Sequence, residues 1–319
     1  MTKESVFIAA LRGLATNPAA RGLADDAAVL NLGGERLVLT LDTLVESVHF
    51  LPDDPARDVA WKLVAVNASD LSAKGAEPLG CLYSHALGEE AWDKAFLEGL
   101  GEACRHFALP LLGGDSVRMP QASARSFSLT ALGLGPRDLD VPSRTMARAG
   151  DEVWVSGTIG DSGAGLSLRL GTRNGKGPEV AWLEERYRRP MPQTALGPRL
   201  APHVHAMMDI SDGLLVDLKR LSEASALGAH LDLARVPLSP AFRAIAGEDT
   251  AALMEAVCAG DDYGLLFTAA PRDAAEIERL AEEAGALLTR VGRITPSPGL
   301  HLAYDGEALA LPERLGYEH

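Results

Sequence analysis

Apolar residues recur with strand-like and helix-like spacing along the first half of the chain. Two apolar runs within residues 24–50 flank Gly33 and Gly34, a pattern typical of a β-hairpin. Residues 55–75 show helical spacing, with Asp54 as a candidate cap. The other elements predicted here are a strand at 78–87, a helix at 89–107 and strands in PLLGGD and SFSLTALGLG. Because these strands are close in sequence, we expect an α/β unit with antiparallel pairing.

A polar, turn-rich stretch at residues 136–152 interrupts this pattern and predicts a domain boundary. We therefore expect one domain at residues 1–137 and a second at 138–319. The strand VWVSG restarts the pattern, and residues 171–180 indicate a flexible loop. The later predicted elements are a strand at 229–233, a helical region at 239–258, the strand YGLLFTA, a helix at 272–285 and terminal strands.

The composition is that of a globular protein with a sizeable core. Hydrophobic residues make up 47% of the 319 residues, a length that suits two domains. The start MTKESVFIAALRGLA indicates an amphipathic helix, so we expect no signal peptide. No stretch of about 20 apolar residues predicts a membrane span. Three widely spaced cysteines without a CxxC pair favour a reducing cytoplasm.

The net charge of −14 at pH 7 limits the classes of partner. Non-specific binding to nucleic acid or to an anionic membrane needs a basic surface, so we expect neither. A phosphorylated ligand stays compatible with this charge, because bound cations can reverse the local field.

Aspartates cluster beside apolar runs in six short segments. One such segment alone is typical of a turn or a helix cap. Six together favour a site for hard divalent cations, and Mg²⁺ binds through a few carboxylates plus substrate phosphates. The segments are ADDAAVL, LTLDTLVESVHF, NASDLSAKGAEP, LLGGDS, MDISDGLL and AGDDYGLLF.

The segment MDISDGLLVDL at residues 208–218 places acidic residues where they are unfavourable. Aspartate is disfavoured in strand interiors and costly to bury. Asp209 nevertheless directly follows the apolar residues Met207 and Met208, and Asp212 comes three residues later. Taken alone, the pattern predicts a strand that leads into a helix capped by Ser211 or Asp212.

Two glycine-rich segments are candidates for contact with phosphate. Gly113 and Gly114 before Asp115 would let the backbone approach an anion. SGTIGDSGAGL at 156–166 opens a helix, but the chain has no GK[ST] and no GxGxxG in the required register. We therefore interpret this second segment as a structural turn and expect any nucleotide to bind without a Walker lysine.

Taken in order, these segments resemble the thiamine-monophosphate kinase family of the aminoimidazole ribonucleotide synthetase superfamily. The looser NxSDLxAxGAxP pattern is shared across the superfamily, whereas DxSDGL followed by a GEDYxLxFT-like segment points to the kinase. The match runs nearly end to end through DDAAVL, LDTLVESVHF, WKLVAVNASDLSAKGAEP, LLGGDS, VSGTIGDSGAGL, RRPMPQTALG, MDISDGLLVDL and AGDDYGLLFT.

The resemblance implies direct transfer of the γ-phosphoryl group of ATP to thiamine phosphate, giving thiamine diphosphate, with several Mg²⁺ ions. It also implies a two-domain α/β (α+β) fold of the aminoimidazole ribonucleotide synthetase type. The N-terminal domain would form a barrel-like sheet across a homodimer, and the C-terminal α+β domain would complete the active site.

Site residues follow from the resemblance position by position, with metal-assisted positioning and no catalytic acid or base. The expected metal ligands are Asp26, Thr40, Leu41 through its carbonyl oxygen, Asp42, Asp70, Asp115, Asp209 and Asp212. The expected ATP contacts are Gly114, Asp115, Arg144 and Ser211. The expected contacts to thiamine phosphate are His49, Asp261 and Tyr317.

Departures from the family pattern concern the fine geometry of the substrate site. Leu41 and Val117 each stand where the family has a hydroxyl residue. Asp261 replaces a substrate-contacting glutamate and is one methylene shorter. Arg314 occupies a position where an aromatic residue often closes on the thiamine, and Tyr317 is the nearest aromatic residue.

Other interpretations stay open on the sequence alone. One is another ATP-using enzyme of the superfamily, although the reactive cysteine of selenophosphate synthetase and the terminal cysteine of the hydrogenase-maturation member have no match. The other is a non-catalytic regulator that binds Mg²⁺ or nucleotide, which the matching carboxylates disfavour. Individually, His49 fits a packed histidine, and Lys74 fits a solvated charge at a helix end.

Overall fold

The computed structural model describes residues 3–120 and 123–317, which fold around two mixed β-sheets. The first half contains α1 (Lys3–Leu11), a 3-10 segment (Pro18–Leu23), β1 (Ala28–Leu32), β2 (Glu35–Val45), α2 (Ala56–Ala73), β3 (Glu77–Leu87), α3 (Glu90–His106), β4 (Leu111–Arg118) and β5 (Ser126–Leu134).

The second half is richer in helices. Its elements are β6 (Glu152–Ser156), α4 (Asp161–Arg169), α5 (Pro178–Arg188), α6 (Leu196–Leu200), β7 (Ala206–Asp209), α7 (Leu214–Ala224), β8 (Gly228–Asp232), α8 (Pro240–Ala246), α9 (Thr250–Cys258), β9 (Leu265–Ala269), α10 (Ala274–Ala284), β10 (Leu288–Thr295), β11 (Gly299–Tyr304) and β12 (Glu307–Leu309). Short 3-10 segments occupy Arg144–Met146, Ala201–His203, Leu233–Arg235 and Pro271–Asp273.

The first sheet has the strand order β1-β2-β5-β3-β4 and is mainly antiparallel, as predicted. Its β1–β2 hairpin is confirmed, with Leu32 opposite Glu35 and positive φ angles at Gly33 and Gly34. Strands β3 and β4 pair in parallel because α3 connects them as a crossover. Strand β4 forms one edge of the sheet, and its outer side has no neighbouring strand among the described residues.

The second sheet has the order β12-β11-β8-β10-β6-β9-β7, and β8 and β11 are its parallel pair. The predicted loop at 171–180 ends early, because α5 begins at Pro178, a residue suited to the first helical turn. The predicted helical region at 239–258 consists of two helices, α8 and α9, separated after Gly247.

Two predictions about helices in the first half are wrong. Asp54 does not cap α2, since its Oδ2 accepts hydrogen bonds from the Leu51 N–H and the Tyr187 hydroxyl instead. Helix α1 is present, but its apolar residues are not gathered on one buried face, and Phe7 is 65% exposed.

Helix α2 is the element on which the two halves meet. It packs against β2 and β5 of the first sheet and against β7 and β9 of the second. Nearly all of its residues are buried, which is typical of a helix surrounded by protein. Lys62, a charged residue in the middle of α2, therefore lies inside the molecule, whereas Arg57 near the start of the helix is exposed. No helix within the described ranges is long and apolar enough to cross a membrane.

Candidate active site

A cleft of about 740 Å³ opens where the two halves meet beside α2. One wall comes from the loop before β1, strand β2 and the end of α2, and the other comes from the end of β7 and the segment after α9. The predicted site residues that line this cleft are Asp26, Thr40, Leu41, Asp42, His49, Asp70, Arg144, Asp209, Ser211, Asp212, Asp261 and Tyr317.

Three carboxylates from distant parts of the chain converge at the cleft floor. Asp26 precedes β1, Asp70 lies in the last turn of α2, and Asp209 ends β7. One oxygen from each lies within 4.8 Å of the others, a spacing that suits a shared metal ion. Asp42 on β2 lines the same part of the cleft.

The charges of Asp42, Asp70 and Asp209 are poorly compensated. Burial raises the pKa of Asp70 well above its ordinary value, and the charges of Asp42 and Asp209 raise it further. Burial also raises the pKa of Asp209, with a contribution from Asp26. For Asp42, burial raises the pKa, a hydrogen bond with Asp70 lowers it, and the charges of Asp26 and Asp212 raise it, with a result of about 6.

In the described residues, no lysine or arginine forms an ion pair with Asp42, Asp70 or Asp209. Several buried carboxylates that lack a cationic partner are costly unless a cation binds between them. Oxygen donors of this kind are the ligands that Mg²⁺ prefers, so the donor set fits such ions.

Hydroxyl groups orient two of these carboxylates. The Thr40 hydroxyl donates to Asp70 Oδ2, and the Ser69 hydroxyl donates to Asp209 Oδ2 at 2.8 Å. Ser69 comes from α2 and Asp209 from the second sheet, so this hydrogen bond joins the two halves at the cluster. The hydroxyl of Thr40 thus lies against Asp70, and its expected contact with a metal ion stays a prediction.

Asp26 differs from the other three because cations surround it. Lys74 Nζ lies 2.7 Å from its Oδ2, and the Arg144 guanidinium donates to its Oδ1. Burial raises the pKa of Asp26, but Lys74 and Arg144 together hold it at about 2. Lys74 also contacts Asp25 and donates to the Met207 carbonyl oxygen at 3.0 Å.

The interpretation of Lys74 as a solvated charge is therefore wrong, because its side chain is fully buried. The sequence offers one signal for this burial, since Lys74 directly follows a helix with apolar residues on every side. Its Nζ is surrounded by two carboxylates and a carbonyl oxygen, the environment that a buried ammonium requires.

The DISDGL segment turns from β7 into α7 through Gly213, which has a φ of 125°. Neither Ser211 nor Asp212 caps α7, so that prediction is wrong. Instead, Asp217 reaches back, and its Oδ2 accepts from the backbone N–H groups of Ser211, Asp212 and Gly213 at 3.1, 3.1 and 3.2 Å. Arg220 donates to both Asp212 and Asp217, so the turn is fixed by side chains that the motif search did not assign.

The predicted contacts to thiamine phosphate line the same cleft. His49 Nδ1 accepts from the Val45 N–H at 3.1 Å, and the Tyr317 N–H donates to the Asp212 carbonyl at 2.8 Å. Asp261 lies on the loop between α9 and β9 and accepts from the Tyr263 hydroxyl at 2.9 Å. Arg314 also lines the cleft, near Tyr317.

Gly114 and Asp115 lie apart from the cleft. Both residues are exposed on β4 at the edge of the first sheet, and neither contributes to the cleft lining. One chain therefore does not bring these two predicted ATP contacts together with the others. Asp115 is also a predicted metal ligand, and in one chain it lies apart from the Asp26, Asp70 and Asp209 cluster.

The glycine-rich segment at 156–166 forms the turn into α4, and its residues Ser162, Gly163 and Leu166 also line the cleft, so its interpretation as a structural turn stays a prediction. Asp262 accepts from the Gly160 N–H at 2.7 Å and from the Ser162 N–H, so a protein carboxylate already occupies the N-terminus of α4. Asp161 is likewise held by the Ser239 hydroxyl at 2.5 Å.

Family models match almost the whole chain. The model for the AIR synthase related protein, N-terminal domain, matches residues 24–135, and the model for the C-terminal domain matches residues 148–305. The thiamine-monophosphate kinase of Escherichia coli (strain K12) is 35% identical over 305 residues, covering 93% of this chain and 91% of that relative.

Solved structures agree in fold over the same extent. The crystal structure of thiamine-monophosphate kinase from Stenotrophomonas maltophilia K279a has a TM-score of 0.78 at 39% identity, covering 95% of this chain and 96% of that chain. The structure described as AaThiL complexed with AMPPCP and TMP has a TM-score of 0.83 at 27% identity, covering 100% of this chain and 99% of that chain.

Proposed function

The chain belongs to the thiamine-monophosphate kinase family of AIR synthase related proteins, and we propose that it transfers the γ-phosphoryl group of ATP directly to thiamine phosphate, assisted by several Mg²⁺ ions. It is an ATP-dependent phosphotransferase whose acceptor is itself a phosphate. The relative solved with AMPPCP and TMP supports these two substrates.

The observation that carries the proposal is the cluster of Asp42, Asp70 and Asp209 at the floor of the cleft, without a lysine or arginine partner in the described residues. Two anionic substrates repel each other and an acidic protein, so their approach requires cations. Bound Mg²⁺ would supply that neutralisation and lower the charge on the transferred group.

The protein residues would act by positioning. Asp26, Asp42, Asp70 and Asp209 would hold the metal ions, while Arg144, which donates to Asp26, would contact the nucleotide. The terminal phosphate oxygen of thiamine phosphate is nucleophilic near neutral pH, so no strong general base is needed for an in-line displacement.

A homodimer completes the proposal, with the first sheets of two chains forming a barrel. Strand β4 carries the exposed apolar residues Leu111, Leu112 and Val117, at 50, 60 and 47% exposure, beside Gly114 and Asp115. An apolar edge strand of this kind favours pairing with another chain. Pairing there would carry Gly114 and Asp115 towards the cleft of the second copy.

Cytoplasmic location, supported by three free cysteines, belongs to the same proposal.

A product assay tests the function. The purified chain is incubated with ATP, Mg²⁺ and thiamine phosphate, and the mixture is separated by chromatography and identified by mass. We expect thiamine diphosphate and ADP in equal amounts, and no thiamine diphosphate when Mg²⁺ is removed by a chelator. ATP binding without thiamine diphosphate would instead indicate a regulator or a different acceptor.

A further inference from the structure

Lys62 is a buried lysine in the middle of α2. Its ammonium group lies beneath the cleft surface, behind residues that line the cleft. Its side chain is 2% exposed, so the ammonium does not reach a ligand itself. The aromatic ring of Tyr187 covers it, with Nζ at 4.4 Å from the ring centroid. A lysine in such surroundings needs anionic or carbonyl partners to stay charged.

Those partners are two of the residues expected to contact thiamine phosphate. Lys62 Nζ donates to Asp261 Oδ2 at 2.7 Å and to the His49 backbone carbonyl at 3.0 Å. His49 and Asp261 are far apart in the sequence and belong to different halves of the molecule. A single ammonium group therefore ties both sides of the substrate end of the cleft together.

The loop that carries Asp261 needs such a tie because its backbone is strained. Asp261 and Tyr263 have φ angles of 69° and 51°, a left-handed conformation that non-glycine residues seldom adopt. Backbone hydrogen bonds hold the loop against the β7 end, from the Asp261 N–H to Ser211 and from the Tyr263 N–H to Ile210, at 2.7 and 2.8 Å. Lys62 binds one oxygen of the Asp261 carboxylate and the Tyr263 hydroxyl binds the other, and together they fix where the carboxylate points.

We propose that Lys62 is a positioning residue for thiamine phosphate. It does not contact the substrate but holds the Asp261 carboxylate and the His49 backbone, which line the cleft, in place. The inference rests on the proposed function and adds a residue to its substrate site. Asp261 uses one oxygen for Lys62 and the other for Tyr263, yet its side chain is 30% exposed to the cleft. The lysine thus sets the carboxylate geometry at the position where the family has a longer glutamate.

The test compares Lys62→Met with Lys94→Met, a control that removes an exposed lysine on α3. Steady-state kinetics are measured with each substrate varied in turn, and binding of thiamine phosphate alone is measured by calorimetry. For K62M we expect the KM and Kd for thiamine phosphate to rise at least about tenfold, as for loss of one partner of a buried charge pair, while the KM for ATP changes less than about twofold. K94M should match the wild type in both.

A second comparison separates positioning from general destabilisation. In the double variant K62M/D261N, the rise in KM for thiamine phosphate should be no larger than in D261N alone, because Lys62 acts through Asp261. If K62M does not fold, Lys62→Gln keeps a hydrogen-bond donor and should show the same split between the two KM values.

Three results would overturn the inference: an unchanged Kd for thiamine phosphate in the folded variant, equal losses for both substrates, or additive effects in the double variant. A wild-type protein that forms no thiamine diphosphate would instead reject the proposed function. The two failures are therefore distinguishable in the same set of measurements.

Discussion

Charge compensation differs from one aspartate of the cleft to the next. Burial raises the pKa of Asp26, but two adjacent cations hold it at about 2, so this side chain stays charged whether or not a ligand binds. Asp42 faces other carboxylates, and its pKa of about 6 makes its charge depend on what binds nearby. The cleft thus combines one ligand candidate with a lowered pKa and several with raised pKa values, whose ionisation becomes more favourable when a cation binds.

This difference predicts how stability depends on pH. The ordinary pKa of an aspartate is near 3.8 and that of folded Asp42 is about 6, so the folded chain keeps a proton that the unfolded chain loses in this range. Its contribution is fully present below pH 3.8 and is lost as the pH rises through 6. The pKa values of Asp70 and Asp209 are raised in the same direction.

Without divalent cations, the free energy of unfolding should therefore decrease from about pH 4 to about pH 7. Millimolar Mg²⁺ should reduce that decrease, because metal binding replaces the protons. Denaturant unfolding at both pH values, with Mg²⁺ or with a chelator, measures the effect, and Asp42→Asn should flatten the cation-free slope. A cation-free protein that is equally stable at both pH values would contradict the assignment.

Lys74 makes a second prediction at the scale of a residue. Lys74→Met removes the cation between Asp25 and Asp26, so each of these buried carboxylates loses one of its two cationic partners. Breaking a buried ion pair by removing one partner should lower the free energy of unfolding by about 3 kcal/mol or more. Thermal and denaturant unfolding measure the loss, with K94M as the exposed control. A change in K74M as small as in the control would show that the pair contributes little.

The sequence predicts the cleft residues better than it predicts their partners. Motifs indicate Asp42, Asp70 and Asp209 because acidic residues beside apolar runs are unusual in a core. The sequence pattern does not indicate Lys62 or Asp217, because burial of a charged residue on a helix depends on elements that pack from distant parts of the chain. Periodicity alone does not reveal that packing.

At the scale of elements, the loop that carries Asp261 packs closely against the backbone that follows β7, and Gly260 makes this contact. A Cβ atom added at Gly260 would lie 2.6 Å from the Ser211 carbonyl oxygen, so backbone must move. This loop therefore has little freedom to shift relative to the DISDGL segment.

Gly260→Ala should push the loop that carries Asp261 away from the DISDGL segment. We expect a loss of about 1–3 kcal/mol in the free energy of unfolding, together with weaker binding of thiamine phosphate. Gly101→Ala in α3 is the matched control, since its nearest neighbour is the flexible end of Arg105 at 3.4 Å. Alanine there should slightly stabilise the helix. Equal stability of the two variants would contradict the close packing of the loop.

Most elements were predictable from periodicity, and the errors occur where tertiary structure overrides local rules. Asp54 precedes a helix and has the right chemistry for a cap, but Tyr187 and the 51–54 turn bind its carboxylate instead. Asp217 lies inside α7 and binds the N–H groups of the turn that precedes the helix, a contact that the usual cap position does not predict. The parallel pairing of β3 with β4 follows from a crossover helix rather than from the strand sequences.

At the scale of the whole molecule, the position of Gly114 and Asp115 outside the cleft is the feature that a single chain leaves unexplained. The proposed dimer explains it, since the apolar β4 edge would be covered and both residues carried to a second copy. The sequence contained the apolar residues of β4, but their exposure became evident only from the strand order.

Leu112→Glu should therefore convert a dimer to a monomer and abolish most kinase activity while leaving the chain folded. A charge placed on a paired apolar edge is strongly unfavourable. Leu97→Glu is the control, because Leu97 is similarly exposed, at 64%, on α3. Light scattering after size exclusion gives the mass of each. A wild-type monomer with full activity would reject the dimer.

The central claim is that the carboxylates between the two halves bind the metal ions that make phosphoryl transfer possible. The most direct measurement is the rate of thiamine diphosphate formation against Mg²⁺ concentration for the wild type, Asp42→Asn, Asp209→Asn and the exposed control Asp138→Asn. We predict that kcat falls at least about a hundredfold in D42N and D209N, with higher Mg²⁺ required and cooperative unfolding retained. D138N should match the wild type. Near-normal turnover and Mg²⁺ dependence in both D42N and D209N would contradict the account.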